Sequence, residues 1–328
     1  MTGDRFDWIR LTLRLHRFEL FAFGVAIIGL VVGAFAAAAY IEGFRLPPEC
    51  VFTDGVEPSE EVAFACQAAY QRLSDAQTIG ALVMSPLLLV TFAMSLFLGV
   101  PVIARELERG TVRLAWWLTP SRWRWYLARL VPIVVVVVVL TFAAGVAADR
   151  TFAANNPSAD LANSFEGYGA RGGLLAARAL FVFGVAVFVG SFIGRALPAV
   201  IVAALLATIG LYGGINVHDR ILQGEAVQIP ADGSGFGDGF GSGDKYIDQK
   251  FVLEDGTLVG YDYFFSSGQG GQGDPFDEFG NPKYPMVNLL VPGERYRAVE
   301  AREAGVLILG SLVALLIAGF VVVRRRPG

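Results

Sequence analysis

Residues Gly99–Leu130 read GVPVIARELERGTVRLAWWLTPSRWRWYLARL. This stretch lies between two long apolar runs and so forms a loop held at a membrane surface. It carries six arginines, Arg105, Arg109, Arg113, Arg122, Arg124 and Arg129, against Glu106 and Glu108. A connection this basic beside membrane spans faces the cytoplasm by the charge asymmetry of membrane proteins. From Ile103 to Leu118 the apolar residues Ile103, Leu107, Leu114, Ala115 and Leu118 recur near helical spacing, which predicts one helix. Thr119-Pro120-Ser121 ends it, because proline disfavours the helical state in the residue before it. Ser121 can then cap a second short helix, Arg122 to Leu130.

Glu106-x-x-x-Gly110-Thr111, followed by Pro120-Ser121-Arg122 and the basic Arg129, resembles the cytoplasmic loop of ABC-2 type transporter permeases. The resemblance is densest over this loop. It implies an export permease that works as a dimer or pseudo-dimer of membrane domains, with ATP bound by a separate ABC ATPase subunit. The loop would then be the coupling element that touches the ATPase. Glu106 and Arg122 would make polar contacts to the ATPase or within the loop, Gly110 and Thr111 would permit close approach, and Pro120-Ser121 would fix the turn. The competing reading is a basic amphipathic loop that only anchors to anionic headgroups.

Outward from this loop the chain is strongly apolar. Of 328 residues, 54% are hydrophobic and 17% charged, and the mean hydropathy is +0.53. Such a composition belongs to integral membrane proteins. The net charge of −4 hides a segregation of charge by side. Six spans are predicted: 20–40, 78–102 with Pro86 inside, 131–148, 174–193, 196–213 and 305–323. Each approaches the roughly 20 residues that cross a hydrocarbon core. Pro86 removes a backbone bond and should kink its helix. Only Gly194-Arg195 separates the fourth span from the fifth, which makes them a tight helical hairpin. An even span count places both termini on one side, and both are arginine-rich, so the expectation is a multi-pass protein of the cell membrane with cytoplasmic termini.

The fold class expected is therefore all-α and integral to the membrane. It has six transmembrane helices, short cytoplasmic coupling helices between spans 2 and 3, and a small mixed extracellular region between spans 5 and 6. The organisation is a membrane domain over 1–213, an extracellular region over 214–302, and a last span with a basic tail over 303–328. Before the first span, Trp8, Leu11, Leu15 and Phe18 alternate with Arg10, Arg14 and Arg17 in a pattern suited to an interfacial helix. A signal peptide is the rival reading, but the run 20–40 is too long for its apolar core. His16 lies on this surface helix, in solvent or among headgroups and outside any site. Gly29-x-x-x-Gly33 and Gly190-x-x-x-Gly194 let helix backbones approach, either within one subunit or at a dimer seam.

The connections on the other side are acidic. The first carries both cysteines, Cys50 and Cys66, which favours a disulfide in an external loop over two free thiols. Residues 62–73 of the same loop could form a small helix, and the second external loop, 149–173, is polar and uninformative. In the third, Asp255-Gly256 between apolar and aromatic flanks predicts a β-hairpin over 250–265. That region is either a lid over the cargo exit or a passive ornament. Asp232, Asp238 and Asp244 recur among glycines, but their spacing matches no calcium loop.

No ionisable residue sits near the centre of a span; Glu19, Glu42, Asp149, Arg178 and Glu303 all fall at span ends. Ion-driven transporters use buried charge along their path, so energy should come from outside the chain, and the cargo should be apolar or amphipathic. No Walker loop, nucleophile elbow or metal motif occurs, which argues against an enzyme, a chain-bound cofactor or a metal centre. Nucleic acid is excluded as a partner because the basic residues hug the bilayer. The alternative function is a non-transporting immunity or sensor protein whose extracellular region binds a ligand.

Overall fold

The computed structural model describes residues 10–47, 50, 59–118, 121–156, 160–231, 243–265, 275–277 and 282–325. Among these, six helices are long and apolar enough to cross a membrane. They are α1 (Arg17–Glu42), α2 (Glu60–Glu108), α4 (Arg122–Asn155), α5 (Gly172–Ile193), α6 (Ala196–Glu225) and α8 (Tyr296–Arg324). A short helix, α3 (Val112–Leu118), joins α2 to α4. The chain divides into two compact units, one formed by Met1–Pro157, Gly167–Leu211 and Ala301–Gly328, the other by Ser158–Glu166 and Tyr212–Glu300.

The helical unit packs α2 against α1, α5 and α4, and α1 against α4. Its core is made of Ile27, Leu87, Met94, Leu98, Ile103, Trp125, Tyr126, Ile133 and Phe183, all buried. Small residues set the closest approaches. A Cβ on Gly190 would meet the Val100 carbonyl, and one on Gly99 would meet Ala186 and Phe183, so α2 and α5 touch backbone to backbone. That is packing within the chain. Gly29, by contrast, faces open space. The outward faces of α1 and α6 are apolar, with Phe18, Phe21, Leu197, Ile201 and Leu205 exposed. In lipid this is the expected arrangement, because hydrocarbon tails are as apolar as leucine.

Three sequence expectations need correction. The helix predicted over 103–118 is broken: α2 runs to Glu108, Gly110 takes φ +70°, and α3 starts again at Val112. Left-handed backbone is open to glycine at no Cβ cost, and that ends the helix. The second short helix over 122–130 is not separate. Nothing after Ser121 interrupts it, and it continues as α4 to Asn155 through Pro132. One short helix therefore stands between two long ones. The second span is also far longer than read. At 49 residues α2 absorbs the small helix at 62–73 and passes through Pro86 and Pro101 without a break. Ser59 caps it by accepting from the Val62 amide at 3.5 Å. Of the breaker Thr119-Pro120-Ser121, Thr119 and Pro120 lie outside the described residues, so the turn expected at Pro120-Ser121 is described only at Ser121.

The predicted α5–α6 hairpin is present, with Gly194 at φ +68° as the left-handed cap. Cys50 and Cys66 form a disulfide, with Cα atoms 5.5 Å apart. The Tyr70 hydroxyl donates to the Cys50 carbonyl at 2.6 Å, a second tie between that loop and α2.

The second unit holds a four-stranded antiparallel sheet in the order β1-β4-β2-β3. Its strands are β1 (Val227–Pro230), β2 (Lys245–Val252), β3 (Leu258–Val259) and β4 (Met286–Val291). The hairpin turn falls where Asp255-Gly256 predicts it, with Gly256 at φ +80° and Phe251 opposite Val259. Its second arm is only two residues long, and residues 262–265 form a helical turn, α7 (Asp262–Phe265), instead of strand. Phe251, Val259 and Phe264 make a small core against Phe276 and Tyr284. The acidic glycine run 232–242 lies outside the described residues.

Residues 160–166, read as uninformative, belong to this unit. The Phe165 amide donates to the Gly243 carbonyl at 2.9 Å, and its ring meets Tyr296 edge-on at 5.5 Å. A Cβ at Gly293 or Gly243 would collide with the Asn163 carbonyl, which explains both glycines.

Candidate functional site

The basic end of the helical unit is built on the turn at Gly110. Helix α2 ends with the Arg109 amide bonded to the Arg105 carbonyl at 3.0 Å and the Gly110 amide to Leu107 at 3.2 Å. The Thr111 hydroxyl then donates back to the Glu106 carboxylate at 2.8 Å. That same carboxylate receives Arg129 of α4 at 2.9 Å. Arg129 is only 5% exposed. Glu106, Thr111 and Arg129 therefore lock the turn to α4, and Glu106 is bonded within the chain.

Other ends converge on the same place. Arg105 is ion-paired with Glu19 at the start of α1. The Glu108 carboxylate accepts from the Ala196 amide at 3.1 Å, where α6 begins. A carboxylate at a helix start satisfies a free amide and suits the helix dipole. Ser121 caps α4 by accepting from the Arg124 amide at 3.4 Å. Arg122 donates to the Val323 carbonyl at 2.8 Å, near the end of α8, and its guanidinium lies 4.2 Å above the Trp116 ring. Arg325 donates to the Ser191 carbonyl at the end of α5, at 3.1 Å. Arg325 at the end of the last span and Arg122 at the start of α4 thus satisfy helix-end carbonyls, as expected of cations near helix C-termini.

The expectation that His16 faces solvent is corrected by its burial. The residue is 7% exposed rather than solvated. Burial is the main cause that lowers its pKa below the ordinary value; Arg105 and Arg129 lower it further, against Glu19 and Glu106, which raise it. Its environment was illegible because its neighbours Arg105 and Arg129 come from two distant helices.

Of the candidate coupling residues, Glu106, Gly110 and Thr111 lie together at the turn. Ser121 and Arg122 open α4, and Pro120 lies outside the described residues. Sequence reasoning assigned no site role to Glu19, Glu108, Arg129 or Arg325. The one available signal was the presence of carboxylates in a basic loop, each of which needs a cation or an amide. On the short helix α3, Val112 and Trp116 pack on the core, whereas Trp117 is 90% exposed. Among the described residues no three His, Cys, Asp or Glu side chains gather to hold a metal ion.

At the opposite end of the helical unit a second polar cluster forms. Glu303 accepts from Arg178 Nε at 2.9 Å, from its Nη2 at 2.6 Å, and from the Tyr168 hydroxyl at 2.6 Å. These span-end charges are satisfied by one another.

A family model described as ABC-2 membrane transporter related matches residues 30–216. No curated protein and no solved structure matches the chain.

Proposed function

Because the chain belongs to the ABC-2 membrane transporter related family, we propose that it is the permease subunit of an ATP-driven exporter whose ATPase is a separate chain. In this reading the protein lies in the cell membrane, with both termini and the turn at Gly110 on the cytoplasmic side and the sheet-bearing unit outside. Two membrane domains form the working dimer. The cargo is apolar or amphipathic and moves outward, since ionisable groups stay at the span ends.

Exposed Trp117 carries the coupling part of the proposal. Helix α3 is held by the Gly110 turn on one side and by Arg122 stacked on Trp116 on the other. It therefore offers Trp117 outward on a fixed support, and a large aromatic on a rigid support is the type of residue that dominates protein interfaces. Glu106, Gly110, Thr111, Ser121 and Arg122 shape that support.

The test is co-purification of an ATPase subunit from native membranes. Trp117→Ala should leave the protein folded and inserted yet weaken ATPase retention about 30-fold, the loss expected for an interface anchor. Arg124→Ala, an exposed charge nearby, should change little. Equal behaviour of the two variants would overturn the coupling role of α3.

A further inference from the structure

A cleft of about 350 Å³ opens at the basic end of the helical unit, between residues 10–16, the end of α2, the start of α3 and α4. We propose that it is a binding site for one phosphate-bearing anionic lipid, with the headgroup between Arg109, His16 and Arg129 and the acyl chains along Leu11, Leu15 and Leu114. The inference does not rest on the transport reading.

Charge is the first argument. Three guanidiniums, Arg105, Arg109 and Arg129, line the cleft against one carboxylate, Glu106. Arg105 is met by Glu19 and Arg129 by Glu106. Arg109 has no ion-pair partner among the described residues, so the cleft keeps a positive charge at its mouth. Guanidinium groups match phosphate oxygens in geometry as well as charge.

Unsatisfied polar atoms are the second. Arg129 and His16 are more than nine-tenths buried, and both line the cleft. Arg129 Nε and His16 Nδ1 have no hydrogen-bond partner. A buried polar nitrogen left unpaired is costly, and because both side chains line the cleft, a small rotation toward an oxygen-rich ligand there would relieve that cost.

The third is the apolar rim. Leu11, Leu15 and Leu114 are 42%, 49% and 67% exposed and lie beside these cations. A free phosphate has no use for them, whereas a lipid does. The volume also suits a glycerophosphate headgroup, since small-molecule sites begin near 300 Å³. Basic pockets between membrane helices are a known class of headgroup site.

The experiment uses the full-length protein reconstituted in nanodiscs of equimolar phosphatidylcholine and phosphatidylglycerol, then released and weighed intact by native mass spectrometry. Phosphatidylglycerol should be retained preferentially, one molecule per chain. Arg109→Gln, at an exposed residue, should lower its retention about fivefold, the worth of one interfacial cation. Leu114→Ser should lower it as well, and Arg124→Gln should not. Equal losses from Arg109→Gln and Arg124→Gln would overturn the site in favour of diffuse surface attraction. Retention that Leu114→Ser leaves unchanged and that inorganic phosphate abolishes would overturn the lipid in favour of a bare anion.

Discussion

Arg129 is buried with its charge met by one carboxylate, Glu106, at 2.9 Å. Removing one member of a buried ion pair strands the other, and that typically costs 3–5 kcal/mol. Glu106→Ala should therefore destabilise the fold by about 3 kcal/mol, seen as lower expression and earlier unfolding in detergent. Normal stability with lost ATPase binding would instead mean that Glu106 serves the partner. His16 gives a pH dependence. Its pKa is lowered in the fold, mainly by burial, so the unfolded chain binds the proton more readily. The stability it contributes is present above the unfolded value near 6.5 and is lost as pH falls through the lower folded value. His16→Gln should flatten that acidic limb in a melting series; an unchanged slope would remove His16 as its source. Glu106, Gly110 and Arg129 stood out in the sequence as types in a pattern. Their pairing did not, because which cation meets which carboxylate depends on the Gly110 turn, and the apolar periodicity of 103–118 conceals that break.

Helix boundaries were legible where the chain carries a breaker and not where it lacks one. Gly194 stops α5 as read, while α2 and α4 outrun their apolar cores because polar residues such as Gln77 and Arg122 are good helix formers. The two glycine motifs looked alike in sequence, and the structure separates them. Gly190→Ala would put a Cβ 2.9 Å from the Val100 carbonyl, and overpacking of this kind costs about 1–3 kcal/mol. Gly29→Ala meets nothing within 4 Å and should be neutral or stabilising by up to about 1 kcal/mol, from helix propensity alone. Unfolding of the two variants side by side checks this. If Gly29→Ala is the more damaging, its face is covered by another molecule. The disulfide adds an element-scale expectation. Closing a loop of this length stabilises by about 3 kcal/mol in the chain-entropy model, so Cys66→Ser should expose the start of α2 to limited proteolysis and leave the rest of the helical unit protected.

At the scale of the whole molecule, the six spans and the basic loop were readable because hydropathy and charge are local properties. The four-stranded sheet was readable only at its Asp255-Gly256 turn. Its main pairings join β4 to β1 and β2, and residues 160–166 reach it from elsewhere in the chain, so no local pattern announces them. Sidedness is testable with single cysteines in a background lacking Cys50 and Cys66. Thr257→Cys should react with an impermeant reagent in intact cells and Ser121→Cys only after lysis; the same response at both would overturn the six-span topology.

The length of α2 has a mechanical consequence. Its 49 residues make a rod about 74 Å long at 1.5 Å per residue, more than twice the roughly 30 Å of a hydrocarbon core. The rod is gripped near one tip by the Cys50–Cys66 bond and at the other by the Glu106–Arg129 lock. If the middle acts as a fulcrum, a tilt of about 5° swings each tip by about 3 Å, in opposite directions. In the proposed coupling reading, a push delivered at the Gly110 turn reaches the acidic tip through one continuous helix, with Pro86 and Pro101 as the places where it can bend.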